Sequence, residues 1–157
     1  MAAWRELRRL GAVSLQQGTW ALPTGEGFDE GFDQVVRTID VAGGHPVVLA
    51  VGDDDASVAQ LEALFTEQRE AEWSEFLADC DKYEAELVDE VRKGKLTLAE
   101  LDEEEQSLDR LRRWYRQIRA RDLFSAPAGV LAERRLKECG EALDAFGDQV
   151  YQAREQP

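Results

Sequence analysis

Apolar residues recur along most of this chain at spacings of three and four, the pattern of helices that each bury one stripe. Trp4, Leu7 and Leu10 mark a first short helix over residues 2–10, with Arg5, Arg8 and Arg9 outside it and Gly11 placed to cap it. The period then changes to two. Val13 and Leu15 alternate with Ser14 and Gln16, and Trp20 and Leu22 alternate with Thr19 and Ala21. Gln17-Gly18 between these runs predicts the tight turn of a β-hairpin, which Pro23 stops. Phe28, Phe32, Val35, Val36 and Ile39 predict a second helix over residues 26–42. Gly43-Gly44-His45-Pro46 turns the chain, and the nearly continuous apolar run Val47–Val51 predicts a buried strand.

From residue 57 the helical period takes over. Three long helices are predicted over residues 57–93, 97–124 and 127–154. Ser57 with Gln60 and Thr97 with Glu100 have capping-box spacing at the first two starts. The stripes are Val58, Leu61, Phe65, Phe76, Cys80, Tyr83, Leu87 and Val91; then Leu98, Leu101, Leu108, Leu111, Tyr115 and Ile118; then Ala132, Leu136, Cys139, Leu143, Phe146 and Val150. Long helices with narrow stripes and short loops bury those stripes against one another as an antiparallel bundle. The expected fold is therefore α+β. Residues 1–52 form a small ferredoxin-like α-β-β-α-β unit, a split βαβ without its first strand. Residues 57–154 form a three-helix bundle. The missing strand leaves an open sheet edge, which invites pairing with another chain, so a homodimer is expected.

Charge changes the picture. The 157 residues carry a net charge of −14, which argues against a general binder of nucleic acid or anionic membrane. The distribution is uneven: residues 53–109 sum to −15 and residues 110–121 to +6. No apolar run approaches the length of a membrane span, and MAAWRELRRL has charges where a signal peptide needs an apolar core, so a cytoplasmic location is expected. Cys80 and Cys139, the two cysteines, fall on apolar helix faces and read as buried free thiols rather than a disulfide or redox pair.

The arginine island holds Arg110, Arg112, Arg113, Arg116, Arg119 and Arg121. At about 100° per residue, Arg112, Arg116 and Arg119 share one flank of the apolar arc. Three stacked guanidinia suit a tetrahedral dianion such as chromate or phosphate, each offering paired donors without losing charge. The competing reading is that they pair with Glu67, Glu70, Glu72, Glu75 and other acids of the preceding helix. Arg5, Arg8 and Arg9 form a smaller patch, either a solvated face or a DNA contact completed by a second subunit. His45 has no neighbour at ligand spacing, and the run Asp102–Glu105 reads as polar helix surface. No Ser-His-Asp or Cys-His set and no phosphate loop is present, so neither an enzyme nor a cofactor is expected.

Two segments carry a family resemblance. Trp4-Arg5-Glu6-Leu7-Arg8-Arg9-Leu10-Gly11-Ala12-Val13, continuing through Gln17-Gly18 to Leu22-Pro23, resembles the start of the N-terminal domain of the ChrB chromate-resistance regulators. Leu111-Arg112-Arg113-Trp114-Tyr115-Arg116, through Ile118-Arg119-Ala120-Arg121-Asp122-Leu123-Phe124 and Ala126-Pro127, resembles the far end of the same domain. The resemblance covers essentially the whole chain and implies a regulatory role in chromate resistance, by DNA binding, chromate sensing or both. It also implies a stand-alone relative without the family's C-terminal domain. The hairpin unit is similar as well to the central domain of PaaX-type repressors and to small CRISPR-associated nucleases. Those nucleases use an aspartate on a first strand that this sequence lacks. The alternative function is a protein-interaction module or self-associating scaffold that does not bind DNA.

Overall fold

A computed structural model of the chain describes residues 2–51 and 55–155. The elements are α1 (Ala2–Arg9), β1 (Val13–Gln16), β2 (Thr19–Ala21), α2 (Asp29–Val41), α3 (Asp55–Arg92), α4 (Leu98–Arg121) and α5 (Ala128–Glu155). The chain is α+β, a split βα unit with a bundle of long helices. It divides into two compact units. One comprises the residues up to Gln68 with Arg121–Phe124, the other Arg69–Ala120 with the chain from Ser125 onward. The division falls inside α3, later in the chain than the break after residue 52 where the hydrophobic pattern changes.

In the first unit, α1 ends where expected, at a glycine: Gly11 has φ 79°, a left-handed conformation that costs a residue without Cβ little. β1 and β2 pair antiparallel, Val13 opposite Ala21 and Ser14 opposite Trp20, with an irregularity before Gln16 opposite Thr19. Gly18 makes the turn at φ 81°. The core of this unit gathers Leu10, Ala12, Val13, Phe28, Val35 and Phe65. A Cβ on Gly31 would lie 2.4 Å from a Leu10 methyl, so the absence of a side chain there lets α2 pass over Leu10. Phe65 and Phe124 close the unit with ring centroids 5.7 Å apart.

The third strand does not form. Residues 44–51 hold no regular structure, and Val47, Val48, Leu49 and Val51 are exposed. An all-apolar strand is stable only with a hydrogen-bonded neighbour and both faces covered. Among the described residues the sheet has two strands, β1 and β2, paired with each other.

The second unit is a bundle of the long helices, beginning at Arg69 within α3 rather than at residue 57. Trp73, Phe76, Cys80, Tyr83 and Leu87 of α3 pack with Leu101, Leu108, Leu111 and Ile118 of α4 and with Ala132, Cys139, Leu143, Phe146 and Val150 of α5. The order of contacts makes α3 and α4 antiparallel: Trp73 meets Tyr115, Phe76 meets Trp114, and Tyr83 donates its hydroxyl hydrogen to the Glu104 carbonyl at 3.2 Å. The Thr97 hydroxyl accepts the Glu100 N–H at 3.2 Å, one half of the expected capping box. The start of α5 is capped through space, where the Ala128 N–H donates to Glu70 Oε1 at 2.9 Å.

Three stripe positions were not anticipated. Between Phe65 and Phe76 the buried face of α3 is carried by Arg69 and Trp73, and Arg69 lies 3.2 Å from Glu72. On α4 the run Asp102–Glu105 is not uniform surface. Glu104 occupies the stripe between Leu101 and Leu108 and is buried.

Candidate functional site

The α4 stripe fixes where its arginines point. With Leu108, Leu111 and Ile118 buried, Arg112, Arg116 and Arg119 are left exposed on the flank toward α5. Arg112 reaches the Gly140 position, where a Cβ would lie 3.8 Å from its guanidinium. It also donates to Asp109 of its own helix at 3.3 Å. Arg116 and Arg119 make no hydrogen bond or ion pair among the described residues. The structural alternative named Glu67, Glu70, Glu72 and Glu75 of α3 as their partners. Glu70 instead caps α5, and Glu72 lies beside Arg69.

The acids that do face this flank belong to α5. A groove of about 380 Å³ runs between the two helices, lined by Arg112, Tyr115, Glu133, Leu136, Lys137, Gly140, Glu141 and Asp144. Burial first, then Glu133, pushes the Tyr115 hydroxyl above its ordinary pKa, and Arg119 opposes that shift. Arg119 and Glu133 thus act on the same ring from opposite signs. An anion at the arginines would gain three cationic partners on one side and meet carboxylates along the other rim. A second groove of about 450 Å³, between α3 and α4, holds Arg110 with Asp79, Lys82 and Glu86.

On α1, the three arginines differ. Arg9 donates to Glu6 at 2.8 Å. Arg8 stacks over the Trp4 ring, 4.8 Å from its centroid, which orders the guanidinium without neutralising it. Arg5 is exposed and makes no hydrogen bond or ion pair among the described residues. His45 is exposed, and no group of three or more metal-ligating side chains occurs among the described residues.

The family comparison covers the full length: the N-terminal domain of protein ChrB matches residues 1–157. The chain belongs to the ChrB N-terminal family. The two segments that carry the resemblance are α1 with the hairpin, and the second half of α4 with the turn into α5. Both arginine patches of this ChrB-family chain lie in those segments. No curated protein and no solved structure matches it. No helix among its described residues is long and apolar enough to cross a membrane.

The clusters that sequence reasoning missed lie elsewhere in the bundle of this ChrB-type chain. Arg135 on α5 donates to Glu84 twice, at 2.8 and 3.2 Å, to Asp81 at 2.9 Å, and to Glu138. These partners hold its proton even more firmly than an ordinary arginine does. Glu104 is the reverse. Burial first, then the charges of Glu86, Glu90, Glu100 and Glu103, raise its pKa, and its Oε2 accepts no hydrogen bond. The one sequence signal for Glu104 was its spacing, three residues after Leu101 and four before Leu108.

Proposed function

We propose that this chain is a regulatory, non-catalytic protein of the chromate-resistance type, acting in the cytoplasm through promoter DNA, through an oxyanion such as chromate, or through both. The observation that carries this reading is the family match over residues 1–157. In this reading Arg5, Arg8 and Arg9 approach DNA phosphates, and Arg112, Arg116 and Arg119 hold the oxyanion. Two features support these roles: Arg5, Arg116 and Arg119 are exposed without an ion pair among the described residues, and Arg8 keeps its charge over Trp4. The net charge of −14 opposes DNA at long range, so binding rests on short-range contacts, and a homodimer that presents two α1 patches would double them.

A second reading rests on the exposed run Val47, Val48, Leu49 and Val51. Four large aliphatic residues so close together in solvent suit a surface that another chain covers, which fits a self-associating scaffold without DNA binding. One experiment separates the two. Light scattering and mobility-shift titration are run on the same preparation, using DNA from upstream of the coding sequence, with and without chromate. A dimer that retards the DNA, and releases it as chromate is added, supports the regulator. A dimer that leaves the DNA unshifted at every protein concentration supports the scaffold and removes the DNA-contacting role from Arg5, Arg8 and Arg9.

A further inference from the structure

Cys80 of α3 and Cys139 of α5 are both fully buried in the bundle core, yet their surroundings are not those of inert thiols. Cys139 Sγ lies 3.7 Å from the Cys80 carbonyl oxygen and 4.0 Å from Glu84 Oε1. That carbonyl contact sets the two cysteines side by side, and their thiols act on each other's protonation. Glu84 is fixed by the paired donors of Arg135. A proton acceptor and a fixed positive charge therefore stand beside one member of a thiol pair whose partner is in contact.

We infer that Cys80 and Cys139 form an oxidisable dithiol, closing to a disulfide between α3 and α5 when a small peroxide-class oxidant is present. Cys139 is the attacking thiol. Its pKa is lowered, chiefly by its interaction with the Cys80 thiol and further by Arg135, against burial and the charges of Glu84 and Asp81, which raise it. Cys80 is raised by the same interaction and by burial, so it keeps its proton and serves as the resolving thiol.

The steps balance. Cys139 gives its proton to Glu84, and the thiolate attacks one oxygen of hydrogen peroxide. The O–O bond breaks, and the leaving hydroxide takes the proton from Glu84 as water. Cys80 sulfur then attacks the Cys139 sulfenic acid. The S–S bond forms, the S–O bond breaks, and hydroxide leaves with the Cys80 proton as a second water. Two thiols lose two electrons to one peroxide. Access is one side chain deep, because the Glu84 side chain, 4.0 Å from the Cys139 sulfur, is 30% exposed.

The test uses the full chain, reduced and then treated with an equimolar amount of hydrogen peroxide under native conditions. It is quenched by iodoacetamide in denaturant and weighed intact. The expected product has lost two hydrogens, takes up no alkyl group, and regains both alkylation sites after dithiothreitol. Its melting temperature exceeds that of the reduced form. In Cys80→Ser the reaction should stop at a Cys139 sulfenic acid that dimedone traps. Glu84→Gln should slow oxidation by about 100-fold, the lower end for a positioned proton acceptor, even though weakening the Arg135 pairing lowers the melting temperature of the reduced protein and so opens the core. Two outcomes would overturn the inference. One is wild-type thiols that remain fully alkylatable after peroxide. The other is an intermolecular disulfide with no intramolecular product. Neither readout depends on a variant folding, since both use the wild-type chain.

Discussion

Arg135 on α5 and Arg116 on α4 carry the same side chain in the same helical unit, and their surroundings have almost nothing in common. Arg135 is held by Glu84, Asp81 and Glu138, which come from two helices. Arg116 is exposed and has no ion pair among the described residues. Yet Arg116 belongs to the most basic stretch of the chain, and Arg135 does not. Local charge density is therefore a poor guide to which arginine stabilises the fold. Pairing depends on which helix faces which, whereas a run of like charges mostly repels itself into solvent.

The largest expected effect follows from Arg135. Replacing it with Met keeps much of the aliphatic stem but leaves three carboxylates facing one another. A fully buried pair broken this way costs about 3–5 kcal/mol. Here the acids are partly solvated, with side-chain exposures of 71% for Asp81, 30% for Glu84 and 40% for Glu138. Screening by water reduces the expected loss to about 2 kcal/mol. Urea unfolding should show this loss, and salt should shrink it by screening the carboxylate repulsion. An unchanged urea midpoint would place Arg135 with Arg116 as a surface charge and end the contrast.

Glu104 sharpens the comparison from the acidic side. Lys95 lies 3.1 Å from Glu90 and 3.5 Å from Glu100, but Glu104 Oε2 accepts no hydrogen bond. Its folded pKa is raised above the unfolded value. The stability of this group is therefore complete below the ordinary glutamate pKa, and it is lost as pH rises through the raised folded value. Glu104→Gln should stabilise the chain by about 1 kcal/mol at neutral pH, with the gain fading below about pH 4. Thermal melts at both pH values check the sign. A variant less stable than wild type at neutral pH would mean that Glu104 is satisfied as a carboxylate.

What could be read from the sequence tracks how far each feature depends on distant partners. The α5 stripe from Ala132 to Val150 is purely apolar apart from its spacing, and it is buried nearly as expected. The hairpin was legible because Gly18 fixes its turn locally. Arg69 and Glu104 were not legible: a charged side chain within a stripe looks like surface until the neighbouring helices are in place. The run Val47–Val51 failed for the opposite reason. Its composition suits a strand, but pairing needs a neighbour that composition cannot supply. For the arginines, helical geometry groups Arg112, Arg116 and Arg119 on one flank, and all three are exposed. It could not tell that α5, with Glu133 and Asp144, faces that flank.

Arg116 then gives the smallest effect on stability and the most direct test of the oxyanion role. Its side chain pairs with nothing among the described residues, so Arg116→Gln should change the stability of the unliganded chain by less than about 0.5 kcal/mol. Gln keeps part of the stem and removes both the charge and the forked donors. If the flank binds a tetrahedral dianion, chromate, sulfate or phosphate should raise the wild-type melting temperature in a saturable way. A ligand at 100 times its dissociation constant stabilises by about 2.7 kcal/mol, and the variant should lose that increment. General salt effects behave differently: they grow steadily with concentration and act on wild type and variant alike. The carboxylates of Glu133, Glu141 and Asp144 line the same groove and work against any bound anion. Glu133→Gln should therefore enlarge the increment if the site is real. Equal anion responses in wild type, Arg116→Gln and Glu133→Gln would show that the α4 arginines balance the acidic edge of α5 and bind no oxyanion.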